Sequence, residues 1–253
     1  MTIHIATDVG GTFTDLVLYD YDATTLRGEL HTLKVDTTPP NFEKGVLHAL
    51  ERSGAKLKDV TLMAHGATIV INALTERRGA KTALVTTRGF RDVLEIGRGN
   101  RPDLFNLNFT KPAPFVERYL RCEVTERTTH LGNVQTPAAL DELNAIATHF
   151  KQEGVQAIAV CCLHAYRNPA NEAAIARTLR QLLPAIPVVA SHEISREWRE
   201  YERTNTTVAS AFVSPVVRQY IRALEQTIGQ QGFDGKLYLM QSNGGMTSSE
   251  GAM

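Results

Sequence analysis

Asp8-Val9-Gly10-Gly11-Thr12-Phe13-Thr14-Asp15 is the stretch on which the fold turns. Ile3-His4-Ile5-Ala6-Thr7 precedes it and Leu16-Val17-Leu18-Tyr19 follows, and both flanks have the β-branched and apolar composition of strands. A Gly-Gly pair between two such runs predicts a β-hairpin. Its tip is ringed by Asp8, Thr12, Thr14 and Asp15. Glycines at a tip let backbone N–H groups approach an anion, because no Cβ stands in the way. The threonine hydroxyls add donors, and Asp8 at the end of a strand is placed to hold a metal–water cluster beside a phosphate. The stretch reads as a nucleotide-phosphate clamp. The plainer alternative is a tight turn with a polar tip.

Working outward, the chain of 253 residues is long enough for one large domain or two modest ones. Its 43% hydrophobic and 21% charged content is that of a soluble globular protein. Lys+Arg and Asp+Glu both number 27, which argues against nucleic acid or an anionic membrane as partner. No apolar run reaches the length of a membrane span. The chain opens directly on a strand pattern without a signal peptide. Cys122, Cys161 and Cys162 fit neither a disulfide framework nor a zinc spacing, and a reducing cytoplasm is the expectation. Cys161 and Cys162 sit in the strand-like run Ala157–Leu163 as small core residues.

A third strand is expected over 27–35, then a helix after Pro40 with Asn41 as N-cap and Gly54 at its end. A strand over 60–64 leads into His65-Gly66-Ala67-Thr68, at the junction with a helix from Ile69 to Arg78 closed by Gly79. Strand-to-helix junctions are where α/β proteins bind ligands, and helix N-termini favour anions. His65, Thr68 and Asn72 are therefore candidates, against the plainer reading of His65 as a backbone-bonded junction residue. After a strand over 81–86, Arg88, Arg91, Arg98 and Arg101 crowd together. They read either as a solvated basic loop or as guanidinium donors for a carboxylate or carbonyl-rich substrate. Residues 99–118 read as a long ordered loop.

Residues 119–126 alternate like a half-buried strand, and Pro137 opens a helix to about Gln152 with Leu140, Leu143, Ile146 and Phe150 as its apolar stripe. A strand over Ala157–Leu163, a helix from Asn168-Pro169 to Leu183 and a short strand at Pro187–Val189 complete a parallel α/β alternation. A long helix follows from near Ser195 to Ile228, with a break expected at Val213–Pro215. Its polar run Thr204–Thr207 faces a cleft or bonds back onto the helix. Leu237–Met240 is a last strand, ending in the Gly-rich Gln241-Ser242-Asn243-Gly244-Gly245.

The opening octapeptide resembles the first phosphate motif of the actin-like ATPase and sugar-kinase superfamily. More narrowly, it looks like the opening of the hydantoinase A/oxoprolinase family. Similar to that family, and in its order, are His65-Gly66-Ala67-Thr68 with Asn72–Gly79, Ala83–Arg98, Arg101-Pro102, Ser191-His192-Glu193, Arg199–Thr204 and Met240–Gly245. Ala67 stands where the family usually has a threonine, which removes one hydroxyl.

The resemblance implies an α/β, actin-like (ribonuclease H-like) ATPase half-domain whose mixed sheet opens in a β-hairpin, with an α/β extension and a long helix. Residues 1–190 would be the N-terminal actin-like domain and 191–253 the start of the following hydantoinase A domain. The family implies ATP and Mg²⁺ as cofactors and a small cyclic amide as substrate. ATP phosphorylates the amide oxygen, because amide resonance makes the carbonyl a poor electrophile. In that reading Asp8 is catalytic and positions metal-bound water, while Gly10, Gly11, Thr12, Thr14 and Asp15 surround the phosphates. His65 is catalytic, and Thr68, Asn72, Arg88, Arg98, Ser242, Asn243 and Gly244 face the substrate. A hydantoinase B-type partner subunit or fused domain is implied, and a homo-oligomer stays open. Family members are several hundred residues longer, so the chain reads as a fragment, inactive alone. An ATP-dependent ketone carboxylase subunit, a non-catalytic partner-binding half-domain and, more remotely, a sugar kinase are the competing readings.

Overall fold

Alternation of buried and open residues sets the first sheet. In the computed structural model, which describes residues 2–25, 27–99, 103, 105–242 and 244–252, β1 (Thr2–Val9) buries Ile5, Thr7 and Val9. Its hairpin partner β2 (Phe13–Tyr21) buries Thr14, Leu16 and Leu18. β3 (Gly28–Asp36) pairs antiparallel with β2. The helix α1 (Phe42–Ser53) follows, and Gly54 ends it in the left-handed region at φ 71°. Asn41 stands at its N-cap position but makes no side-chain capping bond. β4 (Val60–Ala67) lies parallel to β1, and α2 (Ile69–Thr75) leaves its end.

The chain then builds a second compact unit, Gly79–Pro215, before returning to the first at Val216. The second unit holds β5 (Thr82–Thr87), α3 (Val93–Ile96), β6 (Arg121–Val124), a small hairpin of β7 (Arg127–Thr128) and β8 (Val134–Thr136), and α4 (Glu142–Gln152). β9 (Ala157–Cys161), α5 (Ala170–Leu182), β10 (Val188–Ala190) and α6 (Ser191–Ile194) follow. α7 (Glu200–Gln230) contributes its first half to this unit and its second half to the first unit. β11 (Lys236–Met240), β12 (Met246–Ser248) and α8 (Ser249–Ala252) complete the first unit.

In the first unit the strand order is β12-β11-β4-β1-β2-β3. β1, β4 and β11 run parallel and the outer pairs antiparallel, a mixed sheet of the actin-like, ribonuclease H-like kind. Its core joins Ile5, Leu16 and Met63 of the sheet to Val46 and Leu50 of α1 and to Tyr220, Leu224 and Ile228 of α7. In the second unit the order is β10-β9-β5-β6, all parallel, as the strand–helix alternation predicts. Every residue of β9 is buried, as a parallel strand covered on both faces requires. Cys161 and Cys162 are buried, unpaired thiols in this core. No helix among the described residues is long and apolar enough to cross a membrane.

Several expectations are corrected. β4 extends to Ala67, so His65 and Gly66 lie inside the strand, paired with Thr7 and Asp8, rather than at a junction. The next helix ends at Thr75 instead of Arg78. Arg77 takes the closing left-handed position at φ 55°, and the amides of Arg77 and Arg78 donate to Leu74 and Ala73 carbonyls. Gly79 closes nothing; a Cβ there would stand 2.3 Å from the Phe212 ring, so it is glycine for packing. The helix expected from Pro137 starts at Glu142, because Thr136 is in β8 and the amides of Ala138 and Ala139 are held by Asn171 Oδ1 and the Thr125 carbonyl. Leu140 is consequently exposed and leaves the apolar stripe to Leu143, Ile146 and Phe150.

The long helix begins at Glu200, after the separate turn of α6, and runs through Pro215 unbroken. A proline there removes the N–H that would bond the Ala211 carbonyl; at the next carbonyl, that of Phe212, the Ala80 N–H donates at 2.9 Å from outside the helix. Thr204 and Thr207 are buried and bond back to the carbonyls of Glu200 and Arg203, so these two pack into the second unit, while Asn205 and Thr206 between them are exposed. Arg101, Pro102 and Asn243 lie outside the described residues. Among the described residues from 97 to 117 no regular element forms.

Candidate functional site

Because β1, β4 and β11 are parallel, the segments that leave them emerge at one edge of the first sheet. Val9 pairs with Ala67, and Leu239 pairs with His65, so the tip Gly10-Gly11-Thr12, the turn at Thr68 and the loop from Gln241 start at nearly one level. The carboxyl edge of parallel strands is where α/β sheets bind ligands.

The tip is held from below. Gly10 N–H donates to Phe13 O at 2.9 Å, Thr37 N–H donates to Thr12 O at 2.8 Å, and the Thr37 hydroxyl donates to Gly10 O at 3.0 Å. Thr14 is buried on the helix-packed face, with its hydroxyl 3.1 Å from that of Thr37; it braces the tip from behind. Thr68 donates both its amide and its hydroxyl to Val9 O, at 3.0 and 3.2 Å. Asn72 Nδ2 donates to the Thr68 hydroxyl at 3.4 Å and stands 3.8 Å from where a Cβ of Gly11 would be. Backbone carbonyls are thus turned inward and satisfied, leaving Gly11 and Thr12 exposed at the edge.

On the open face, one cross-strand row runs Gly66, Asp8, Asp15, Lys34. Lys34 pairs with Asp15 at 2.9 Å. The Asp8 carboxylate has no hydrogen-bond or ionic partner among the described residues, and the missing side chain of Gly66 makes room for it. A Cβ there would lie 3.1 Å from Asp8 Oδ1. Mg²⁺ is usually held by one or two carboxylates plus substrate phosphates, with several waters retained. A lone free carboxylate beside a Gly-rich tip fits that demand. No cluster of three or more His, Cys, Asp or Glu among the described residues forms a dedicated metal cage.

His65 lies on the opposite, helix-covered face and is buried. Its Nδ1 is 2.6 Å from the Thr7 hydroxyl and its Nε2 is 2.7 Å from the Tyr220 hydroxyl. Burial pulls its pKa down to about 4, so the ring is neutral at pH 7 and donates through one nitrogen while accepting through the other. Burial raises the Tyr220 phenol, so it too stays neutral. His65 and Tyr220 stand at a cavity of about 340 Å³ between β4, β11 and the second half of α7.

The structure therefore gathers Asp8, Gly10, Gly11, Thr12, Thr68, Asn72 and, on the β11–β12 loop, exposed Ser242 and Gly244 around one edge of the first unit. Arg88 and Arg98 belong to the second unit, where Arg88 pairs with Glu142 at 2.9 Å and Arg98 with Glu202 at 2.6 Å. Thr7, Thr37, Tyr220 and Gln241 escaped the sequence reading as site residues. Thr37 was within reach, since an antiparallel third strand must end beside the start of the second, at the tip.

The second unit carries a polar cluster of its own at the carboxyl ends of β5, β9 and β10. Glu172, buried on α5, accepts from the Cys162 amide (2.7 Å), the Ser191 hydroxyl (2.8 Å), and the amide and Nδ1 of His192 (2.8 and 2.7 Å). Arg203, also fully buried, donates to the Ser191 hydroxyl at 3.2 Å and to the carbonyls of Cys162 and Glu197. Glu126 accepts from the Thr87 hydroxyl and from Asn171. These bonds tie strand ends together and saturate the Glu172 carboxylate.

Comparison with known proteins places the fold in a family. The hydantoinase/oxoprolinase N-terminal region matches residues 4–183, and a second hydantoinase/oxoprolinase model matches residues 203–253. The chain is 38% identical over 251 residues to an uncharacterized protein of Methanocaldococcus jannaschii, covering 98% of this chain and 36% of that protein. The crystal structure of ATP-dependent caprolactamase from Pseudomonas jessenii superposes with a TM-score of 0.83 at 31% identity, over 97% of this chain and 36% of that one. Its alpha subunit is 33% identical over 249 residues, which are 94% of this chain and 35% of the subunit. Nucleotide-free acetone carboxylase superposes with a TM-score of 0.84 at 25% identity, over 98% of this chain and 37% of that one. The chain thus spans little more than a third of these relatives, 35–37% of their length. The family match covers most of the sequence, from the opening hairpin to the end of α5, and by it the chain belongs to the hydantoinase/oxoprolinase family.

Proposed function

We propose that this chain is the N-terminal part of an ATP-dependent amidohydrolase that opens a small cyclic amide. The observation that carries the reading is the free carboxylate of Asp8 beside the Gly10-Gly11 tip, at the carboxyl edge of three parallel strands. The lactam oxygen attacks the γ-phosphorus of ATP and the bond to ADP breaks. Water then adds to the activated ring carbon, the ring C–N bond breaks as the nitrogen takes up a proton and leaves as the amine, and a second water hydrolyses the resulting acyl phosphate to the carboxylate and inorganic phosphate. Gly11 and Thr12 approach the phosphates through the backbone, Gly10, bonded to Phe13 and Thr37, shapes the turn that presents them, Thr14 and Thr37 hold that backbone rigid, and Asp15 is kept in place by Lys34. Mg²⁺, when bound at Asp8, would neutralise charge on the transferring phosphoryl group.

Thr68, Asn72, Ser242, Asn243 and Gly244 belong to the substrate side of this reading. Arg88 and Arg98 take part only if released from Glu142 and Glu202. Residues 1–190 are taken as the actin-like domain and 191–253 as the start of the next, a division supported by the family matches at 4–183 and 203–253. The name of the caprolactamase relative as an alpha subunit supports a partner subunit of the hydantoinase B type. A cytoplasmic location is supported by three unpaired thiols. The similarity to acetone carboxylase favours the second reading, a ketone carboxylase subunit activating an enolisable oxygen by the same phosphorylation.

ATP hydrolysis by the protein with its partner, across a panel of lactams and ketones with and without bicarbonate, tests the reading. Lactam-stimulated, bicarbonate-independent turnover that Asp8→Asn abolishes is expected. Turnover dependent on ketone and bicarbonate, or unchanged in Asp8→Asn, overturns it. The 253-residue chain alone should bind ATP·Mg²⁺ weakly and show no turnover; micromolar affinity in calorimetry would contradict that.

A further inference from the structure

The cavity beside His65 has a lining unlike the rest of the edge. Its walls are apolar, formed by Ile69, Val70, Val217 and Ile221 among others, and no described lining residue carries a charge once His65 is neutral. At about 340 Å³ it is at the small end of the range for ligand sites. Two polar groups have capacity to spare. The Tyr220 oxygen has His65 Nε2 as its protein partner, so a donor or a lone pair remains for the cavity. The Gln241 carboxamide lines the mouth and has no side-chain partner among the described residues.

We propose that this cavity is the subsite for an uncharged ring bearing a cis amide, and that it disfavours rings carrying a carboxylate. The proposal rests on the amidohydrolase reading above and specifies its substrate. In a small lactam the ring holds N–H and C=O side by side on one edge. A primary carboxamide such as that of Gln241 presents the complementary acceptor and donor side by side. The methylenes of the ring fit the apolar walls. A carboxylate in the same place would lose its hydration without meeting a cation. The position suits the chemistry. Gln241 follows β11 at the level where Ala67 and Val9 end β4 and β1. With neighbouring strands about 4.8 Å apart, two strand spacings set the tip roughly 10 Å from Gln241. The cavity and the Asp8 row open on opposite faces of the sheet and meet at this edge.

The test is a ¹H–¹⁵N titration of the 253-residue chain with ε-caprolactam, N-methylcaprolactam and 5-oxoproline, following the Gln241 side-chain amide. Caprolactam should bind saturably and shift resonances of cavity residues. N-methylcaprolactam and 5-oxoproline should bind at least tenfold more weakly. Gln241→Glu, at an exposed position, should weaken caprolactam at least tenfold, and Val217→Trp should fill the cavity and abolish binding. Equal or tighter binding of 5-oxoproline, shifts that map away from the cavity, or unchanged caprolactam affinity in both variants overturns the proposal. The nucleotide reading is judged separately. Lactam binding absent while ATP hydrolysis depends on Asp8 overturns the subsite alone. Lactam binding present while Asp8→Asn leaves ATP hydrolysis unchanged overturns the nucleotide reading alone.

Discussion

Lowering the pH from 7 to 4 puts the burial of His65 to the test. In the unfolded chain this histidine takes a proton near pH 6.5, whereas in the folded chain burial delays protonation to about pH 4. Between those values the unfolded state carries a proton that the folded state does not, so each step down in pH favours unfolding. The gap between 6.5 and about 4, at 1.36 kcal/mol per pH unit, amounts to about 3 kcal/mol. The loss should begin near pH 6.5 and be complete near pH 4, a large share of the roughly 5–15 kcal/mol that holds a domain folded. Urea unfolding of the wild type and of His65→Gln across this range isolates the effect, since other titrating groups are common to both. The variant should be weaker at pH 7 by about 1–3 kcal/mol, through the broken bonds to Thr7 and Tyr220. It should also have the flatter pH dependence, so that the two curves converge in acid. Parallel curves, or a His65 ring resonance titrating near its ordinary 6.5, would refute the reasoning.

Gly66→Ala places a Cβ 3.1 Å from Asp8 Oδ1 and must displace that carboxylate; ATP hydrolysis by the protein with its partner should fall at least tenfold while the urea midpoint of the chain barely moves. Glu172→Gln faces an NH₂ group towards at least one of four donors, and should cost the second unit about 3 kcal/mol in urea unfolding. Gly79→Ala sets a methyl 2.3 Å from the Phe212 ring, an overpacking of about 1–3 kcal/mol that thermal unfolding should register. Thr37→Val removes the hydroxyl that joins Thr14 to the Gly10 carbonyl. It should cost about 1 kcal/mol and broaden the Gly10 and Gly11 amide resonances.

Local signals carried the reading where they agreed with the tertiary structure. The hairpin was legible because strand composition, a Gly-Gly tip and a polar collar coincide within a few residues. The parallel sheet of the second unit was legible from its alternation with helices. Failures came where a distant partner overrode a local cue. Pro137 is a good first residue for a helix, but Asn171 and Thr125 claim the amides that follow it. Pro215 is a helix breaker by its own chemistry, yet packing on both sides keeps α7 intact. Glu172 had a signal that went unused: it stands at helical spacing with Ile175, Ala176 and Leu179, a carboxylate on an otherwise apolar, fully buried stripe. The two-faced character of the edge was hidden, because which residues of β1 and β4 share a side depends on register, and register depends on pairs such as Asp8 with Gly66.

The sheet of the first unit is finished late. β4 pairs with β11 only after the whole second unit intervenes, Leu62 with Lys236 and His65 with Leu239. On the ribosome, β1 to β4 emerge first, the contiguous second unit can complete its own core next, and β4 keeps an unpaired edge throughout. Such an edge is a template for pairing with other chains. Synthesis that stalls between Gly79 and Lys236 would leave that edge permanently open, so nascent chains of these lengths should be the ones that chaperones hold and that aggregate when chaperones are scarce.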